Sequence, residues 1–290
     1  MLPATASLPY EQKLAHLHRE LGSLPGAVVA FSAGVDSTAL LHACQAVLGD
    51  RAVAVTADSP SLPRSELQEA QDLALSIGSR HVVLPTDELS RAGYRENAGD
   101  RCYHCKKELF VTVAERRADI APADWVVVYG AITDDLGDHR PGQVAAAEHQ
   151  VLAPLLDAGF CKEDVRRYSR DVGLSNAEKP SFACLSSRVP YGTAIDRELL
   201  GKIERAEAVL RAHEFRQFRV RHHDNLARIE VAPDEIERAF AMRQVLGRDL
   251  QATGYKFVAI DAFGYRAGAM NTLLEQSGPE RSGLEQSGPE

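Results

Sequence analysis

The apolar segment Ala27-Val28-Val29-Ala30-Phe31 runs straight into Ser32-Ala33-Gly34-Val35-Asp36-Ser37-Thr38, and residues Thr38 to Leu48 then have helical spacing. A short buried strand, a turn of small residues and a helix N-terminus together make an anion site. Free backbone N–H groups converge there, and the helix dipole adds positive potential. Gly34 permits close backbone approach or a positive φ, and Ser32, Ser37 and Thr38 offer hydroxyl donors. Asp36 cannot attract phosphate by its charge, so it is expected to cap the helix or hold a magnesium ion bridging phosphates. The segment lacks the Gly-Lys-Ser/Thr ending of a Walker loop and is not the dinucleotide fingerprint. Without a ligand it would be an ordinary capped turn between strand and helix.

The surrounding pattern extends this junction into a fold. Helices are predicted over residues 8–22, Ser65–Ile77 and Lys106–Asp119, the second ending at Gly78. Strands are predicted at Ala52–Thr56, His81–Leu84 and Trp125–Tyr129. Strands alternating with helices imply βαβ units, hence an α/β fold with a doubly wound parallel sheet over about residues 25–175. Pro180–Thr193 reads as a loop. A helix at Ile195–His213, strands at Phe218–Val220 and Ala227–Val231 about a turn at His223-Asp224-Asn225, a helix at Pro233–Leu246 and a strand at Phe257–Phe263 predict a smaller C-terminal α+β domain. The expected division is 1–190 for ATP binding, 191–272 for substrate binding and oligomerisation, and 273–290 as tail. The tail repeats Leu-Glu-Gln-Ser-Gly-Pro-Glu at 274–280 and 284–290, too polar to offset its ordering entropy, and is expected to be disordered.

Hydrophobic residues at 44% and charged residues at 26% describe a soluble globular chain. No apolar run approaches the ~20 residues that span a bilayer. Met1 to Arg19 lacks a basic start followed by an apolar stretch, so no signal peptide is expected and the cytoplasm is the default compartment. The net charge of −8 argues against a generally basic nucleic-acid surface. At the strand ends, Asp58 and Gly130 fall where the ligand crevice of a parallel sheet lies. Asp134 and Asp135 follow Gly130 and are either a second acidic loop of the site or a turn or helix cap.

Five cysteines, an odd count, argue against a disulfide framework. Cys102-Tyr103-His104-Cys105 fits a zinc half-site, a redox pair or an iron–sulfur ligand pair. Cys184 lies in a polar loop between Lys179 and Arg188, a setting that would favour thiolate. Cys44 and Cys161 are expected to be structural.

From about residue 10 to 273 the chain resembles the LarE family, ATP-dependent sulfur transferases of nickel-pincer nucleotide biosynthesis within the PP-loop ATP pyrophosphatase superfamily. The resemblance rests on the Ser32–Thr38 loop, Asp138-His139-Arg140-Pro141-Gly142, Ala153-Pro154-Leu155, Lys162 through Arg166, and Ala183-Cys184-Leu185-Ser186-Ser187-Arg188-Val189-Pro190-Tyr191-Gly192-Thr193. Arg219-Val220-Arg221-His222 and Ala227-Arg228-Ile229-Glu230 continue it. One departure is Ala33, where the superfamily loop commonly has Gly, which puts a strained φ at that position in question.

The family implies a pyridinium-3,5-biscarboxylic acid mononucleotide substrate, adenylated at a carboxylate with release of pyrophosphate and converted to a thiocarboxylate. ATP would be held by Ser32, Ala33, Gly34, Val35, Asp36, Ser37, Thr38, Asp58 and Gly130. Arg219 and Arg221 would grip substrate phosphate or carboxylate, with Glu230 and Glu207 ordering those arginines or binding a metal; otherwise they are a strand-face ion pair and a surface salt bridge. Arg188 would steady an anionic intermediate or pack its loop. Three-cysteine members carry a 4Fe–4S cluster, which here implies Cys102, Cys105 and Cys184; in other members one cysteine, here Cys184, gives up its own sulfur. Besides ATP, Mg2+ and the cluster, the resemblance implies a small-molecule nucleotide substrate and a homo-oligomer, with no nucleic acid or membrane partner. A tRNA thiolase and a non-catalytic ATP-binding module are the competing readings.

Overall fold

The computed structural model describes residues 2–137, 141–180 and 183–266, so the repeated tail lies outside the described residues. The chain divides into two compact units: residues up to Ser186 with Ala194–Glu204, and Ser187–Thr193 with the residues from Arg205 on.

In the first unit, α1 (Tyr10–Gly22) leads into β1 (Ala27–Ala30), α2 (Val35–Leu48), β2 (Ala52–Asp58), α3 (Arg64–Ile77) and β3 (Arg80–Pro85). Then come the short α4 (Ala92–Arg95), α5 (Arg101–Glu115), α6 (Arg117–Ile120) and β4 (Val126–Tyr129). The unit continues with α7 (Pro141–Glu148), α8 (Pro154–Asp157) and α9 (Lys162–Asp171), and also holds the first half of α10 (Arg197–Ala212), up to Glu204. The strands form one sheet in the order β3-β2-β1-β4, every pair parallel. Its central strands β1 and β2 are largely apolar because both faces are covered. Ala27, Val29, Ala52 and Ala54 pack with Leu17, Leu21, Leu40, Leu41, Leu73 and Tyr168 on one side. Val28, Val53 and Val55 pack with Leu84, Val113 and Ile120 on the other. Each such valine contributes about 1.5–3 kcal/mol by burial.

The chain steps from β1 to β2 to β3 in one direction, then crosses back to place β4 on the free side of β1. The loops leaving β1 and β4 therefore diverge, and the crevice between them at the carboxyl ends of the strands is where such sheets hold ligands.

Several element ends differ from the sequence reading. The first helix after β1 starts at Val35, not Thr38, because the small-residue turn itself forms the first helical turn. The cysteine-bearing helix starts at Arg101, not Lys106, since no Gly or Pro between them breaks it. The ending at Gly78 holds, with φ 77 and Ser79 N–H donating to the Ala74 carbonyl at 3.0 Å.

In the second unit β5 (Phe218–His223) pairs antiparallel with β6 (Leu226–Val231), which pairs parallel with β7 (Phe257–Ile260). The first strand runs three residues past Val220, where Arg221 pairs with Glu230 and His222 Nδ1 meets Tyr255 OH. The predicted Pro233–Leu246 helix is two, α11 (Ile236–Ala241) and α12 (Arg243–Gln251), broken at Met242. Leu210, Phe215, Val220, Ile229, Leu246 and Leu250 form this unit's core. Among the described residues no helix is long and apolar enough to cross a membrane.

Candidate active site

Phe31 N–H still donates to the Val55 carbonyl at 2.8 Å, continuing the β1 pairing to the start of the loop. Ala33 then takes φ +56, the left-handed region that L residues avoid, and is wholly buried. Ala33 thus carries the strained φ that its side chain put in question. Gly34 is the N-cap, with φ −73 and ψ 157, and the first intrahelical bond runs from Thr38 N to Gly34 O at 3.0 Å. The amides of Val35, Asp36 and Ser37 therefore have no intrahelical acceptor, and such helix-start amides are what bind anions.

Side chains brace this nest from within. Ser37 Oγ donates to Gly34 O at 3.1 Å and accepts from Ser32 N at 3.3 Å, while the two serine hydroxyls lie 3.2 Å apart. The Thr38 hydroxyl is fully buried and accepts from Asn176 Nδ2 at 2.9 Å, so it faces the protein. Lys162 Nζ reaches the two carboxylate oxygens of Asp36 at 2.7 and 2.6 Å, cancelling a negative charge that would oppose phosphate. Gly130, just past β4, lies so close that a Cβ there would meet Ser37 N at 2.9 Å and the Asp36 carbonyl carbon at 3.0 Å. Only glycine lets the β4 exit approach the helix start this closely.

Asp58 ends β2 and pairs with Arg64 at 2.5 Å. Asp134 and Asp135 serve backbone: Asp134 Oδ2 accepts from Lys162 N at 2.9 Å, and Asp135 Oδ2 from Ile132 N at 3.1 Å. Those bonds are the turn and helix-cap role. A cavity of about 480 Å3 beside α3 is lined by Glu69, Asp72, Glu178, Asn176 and Lys179. Its three carboxylates make it a poor phosphate site, unlike the amide nest.

The C-x-x-C cysteines occupy the first turn of α5, three residues apart and so on one helix face. Cys102 reaches solvent; Cys105 and Cys184 are half-buried. Burial pushes the Cys102 and Cys105 thiols up, Cys102 included although that residue keeps an exposed face, and the charge of Cys184 is the next cause for both. All three sulfurs thus share one electrostatic neighbourhood. Tyr94 and Glu88 belong to it: Tyr94 OH is pushed up by burial first and then by Cys184 and Cys105, and Glu88 raises Cys105.

The cysteine loop is tied down at Ser186, whose hydroxyl pairs with Tyr94 OH at 2.6 Å and whose carbonyl accepts from Arg101 NH1 at 3.0 Å. Leu185 N donates to Ser61 O at 2.9 Å, and Ser61 Oγ donates to Glu88 at 2.7 Å. These bonds anchor the thiols beside the segments leaving β2 and β3, at the same sheet edge as the phosphate nest. Among the described residues no three His, Cys, Asp or Glu side chains converge on one point as a single metal ion requires. Zinc would want four ligands around that point, whereas thiolates spread over several irons are the arrangement an iron–sulfur cluster uses. Lys179 engages Glu66 and Glu69 at 2.7 and 2.8 Å. Cys44 is fully buried, its thiol raised to about 12 by burial, and Cys161 caps α9 through Asp164.

In the second unit Arg188 is fully buried and bound to Glu207 by two bonds, Nε at 2.8 Å and NH2 at 2.9 Å. Glu207 Oε1 also accepts from Val220 N at 3.1 Å, so this glutamate is an interior anchor at 2% exposure and not a surface salt bridge. Glu230 pairs with Arg221 at 2.8 Å and with Arg228 at 3.0 Å. Arg219 stands opposite Glu230 in the strand register, stacks 4.9 Å from the Tyr265 ring centroid, and is pulled down by burial and then by Arg188. Arg188, Arg221 and Arg228 are each matched by a carboxylate, Glu207, Glu230 or Asp261, so guanidinium groups gather at this strand pair with their counter-charges in place.

Asp138, His139, Arg140, Ser181 and Phe182 lie outside the described residues. Sequence reasoning assigned no role to Lys162 or Asn176; only Lys162 carried a signal, within the Lys162–Arg166 segment.

No protein-family model matches the chain. It is 41% identical over 254 residues to an uncharacterized Synechocystis protein, covering 87% of this chain and 94% of that one. It is 34% identical over 250 residues to the pyridinium-3,5-bisthiocarboxylic acid mononucleotide synthase of Lactiplantibacillus plantarum, covering 86% and 90%. An uncharacterized Methanocaldococcus jannaschii protein is 27% identical over 234 residues, covering 81% and 88%.

Proposed function

The chain belongs to the family of pyridinium-3,5-bisthiocarboxylic acid mononucleotide synthases, the LarE family, and from that membership we propose that it is an enzyme that adenylates a carboxylate of pyridinium-3,5-biscarboxylic acid mononucleotide with ATP and replaces the adenylate by sulfur. One observation carries the reading: the amide nest of Val35, Asp36 and Ser37 and the three thiols of Cys102, Cys105 and Cys184 belong to the same edge of one parallel sheet.

The nest binds the β- and γ-phosphates of ATP, with the opposing charge of Asp36 offset by Lys162. A substrate carboxylate oxygen attacks the α-phosphorus, and the bond to pyrophosphate breaks with its electron pair leaving on pyrophosphate. Developing charge on that leaving group is what oriented N–H groups stabilise. Sulfide then attacks the acyl carbon, the carbon–oxygen bond to AMP breaks, and a thiocarboxylate remains. Arg219 and Arg221 on β5 bind the substrate's phosphate or second carboxylate, and Glu207 and Glu230 hold the arginines in place. Magnesium would accompany ATP and offset phosphate charge, and Asp36 is the loop carboxylate that would hold it.

Cys102, Cys105 and Cys184 would hold a 4Fe–4S cluster, which supplies an iron without a protein ligand where sulfide can bind. A homo-oligomer in the cytoplasm completes the reading.

Anaerobic purification with iron and sulfide analysis, repeated on Cys102→Ala, Cys105→Ala and Cys184→Ala, tests it. Loss of iron in each variant is expected, with substrate-dependent pyrophosphate release retained. Full iron occupancy in all three overturns the cluster. Conversion of Cys184 to dehydroalanine during turnover, read by mass spectrometry, would assign the sulfur to that cysteine instead.

A further inference from the structure

We infer that Asn176 is a positioning residue that clamps the phosphate loop in its left-handed conformation at Ala33, an inference that rests on the nucleotide-binding reading above. The geometry is specific. A positive φ at Ala33 turns its carbonyl away from the nest and into the protein. Asn176 Nδ2 meets that carbonyl at 3.1 Å and the same nitrogen meets Thr38 Oγ1 at 2.9 Å. One amide group thereby joins the residue before the helix cap to the first turn after it. Lys179 Nζ reaches the Ala33 carbonyl as well, at 3.4 Å, and is itself held by Glu66 and Glu69.

Two features make this a device for the loop and not general packing. Asn176 is 5% exposed, and its Oδ1 has no partner among the described residues. A half-satisfied buried amide is a poor contributor to stability. What it does is hold a backbone conformation that alanine disfavours. A residue able to adopt φ +56 freely would need no such clamp, and glycine is that residue. In this chain the hydrogen bond from Asn176 supplies what the Ala33 side chain takes away.

The clamp predicts energetic coupling between two positions that a merely structural role would not show. Binding of magnesium pyrophosphate, and separately of AMP, is measured by calorimetry on the full chain, with melting temperature recorded alongside. Asn176→Ala weakens pyrophosphate binding about tenfold while AMP, which lacks the β- and γ-phosphates, changes less than about twofold. In the Ala33→Gly background the same substitution weakens pyrophosphate by only about threefold or less. Asn176→Ser, whose hydroxyl can donate to one acceptor but not both, falls between wild type and Asn176→Ala and serves if the alanine variant does not fold. A lowered melting temperature with unchanged pyrophosphate affinity overturns the clamp, as does an equal loss in the wild-type and Ala33→Gly backgrounds. If the wild-type chain binds neither pyrophosphate nor ATP, the nucleotide-binding reading itself fails, an outcome separate from lack of coupling.

Discussion

Lys162 Nζ closes on both carboxylate oxygens of Asp36, at 2.7 and 2.6 Å, and so places a cation directly behind the phosphate nest. The pair resolves an apparent contradiction, an acidic side chain inside a loop built to receive polyphosphate. Asp36 is neutralised before the nucleotide arrives, and the amides of α2 act without an opposing charge.

Lys162→Met removes the lysine cation from Asp36 beside the phosphate nest. Repulsion between unit charges near a protein surface is worth a few kcal/mol, so KM for ATP should rise about 10- to 100-fold. Lys162→Arg, which restores the charge, should recover most of the loss. Steady-state pyrophosphate release as a function of ATP concentration measures both, and an unchanged KM in Lys162→Met would contradict the pairing's role.

Gly130→Ala drives a Cβ to 2.9 Å from Ser37 N and 3.0 Å from the Asp36 carbonyl carbon. Backbone cannot yield as a flexible side chain would, so the β4 exit must retreat from the helix start. The expected cost is about 1–3 kcal/mol of stability, together with loss of ATP binding. Chemical denaturation and nucleotide titration of the same sample separate the two effects.

Glu207→Ala strands Arg188 without its counter-charge at 0% exposure. Removing one partner of a buried ion pair costs about 3–5 kcal/mol, while Glu207→Gln, which keeps an acceptor for Arg188 and Val220 N, should cost less. Urea midpoints at constant m give the comparison. Equal midpoints for Glu207→Ala and wild type would mean that Arg188 finds another acceptor.

Burial, with Asp157 adding to it, lifts the Glu20 carboxyl to about 7. A carboxyl raised in the folded state holds a proton that the unfolded chain has released at ~4.3. Its stabilising contribution is therefore fully present below that value and is lost as pH rises through about 7. Glu20→Gln removes the penalty, so the variant should gain about 1 kcal/mol over wild type at alkaline pH and little in acid, the figure being reduced for solvent screening of a partly exposed side chain. Melting curves from acid to alkaline pH check the crossing, and a parallel profile for the two proteins would rule it out.

Much of the first unit was legible from local pattern. The strand, nest and helix of the phosphate loop are contiguous, and the apolar runs at Val28-Val29 and Val53–Val55 announce strands covered on both faces. The Gly78 stop needed only a residue free to adopt φ 77. Element starts were less legible where polar residues enter an element early. Arg101 to Cys105 begin a helix without a capping side chain, and Arg221 to His223 extend a strand in which Arg221 pairs with Glu230 and His222 Nδ1 meets Tyr255 OH.

Local chemistry specified the amide nest, the small-residue loop and the thiols, because each depends on neighbours within a few residues along the chain. What holds them comes from far away. Lys162 meets Asp36 across 126 residues, and Asn176 meets Ala33 across 143. Tyr94 fastens the loop of Cys184 at Ser186 across 92 residues. No periodicity in a linear sequence encodes which lysine or asparagine will arrive at a given carbonyl. The parallel sheet decides it, by bringing every strand's carboxyl end, and the segments that follow, to one edge. There the strained φ of Ala33 and the charge of Asp36, each unfavourable alone, acquire partners that make them usable.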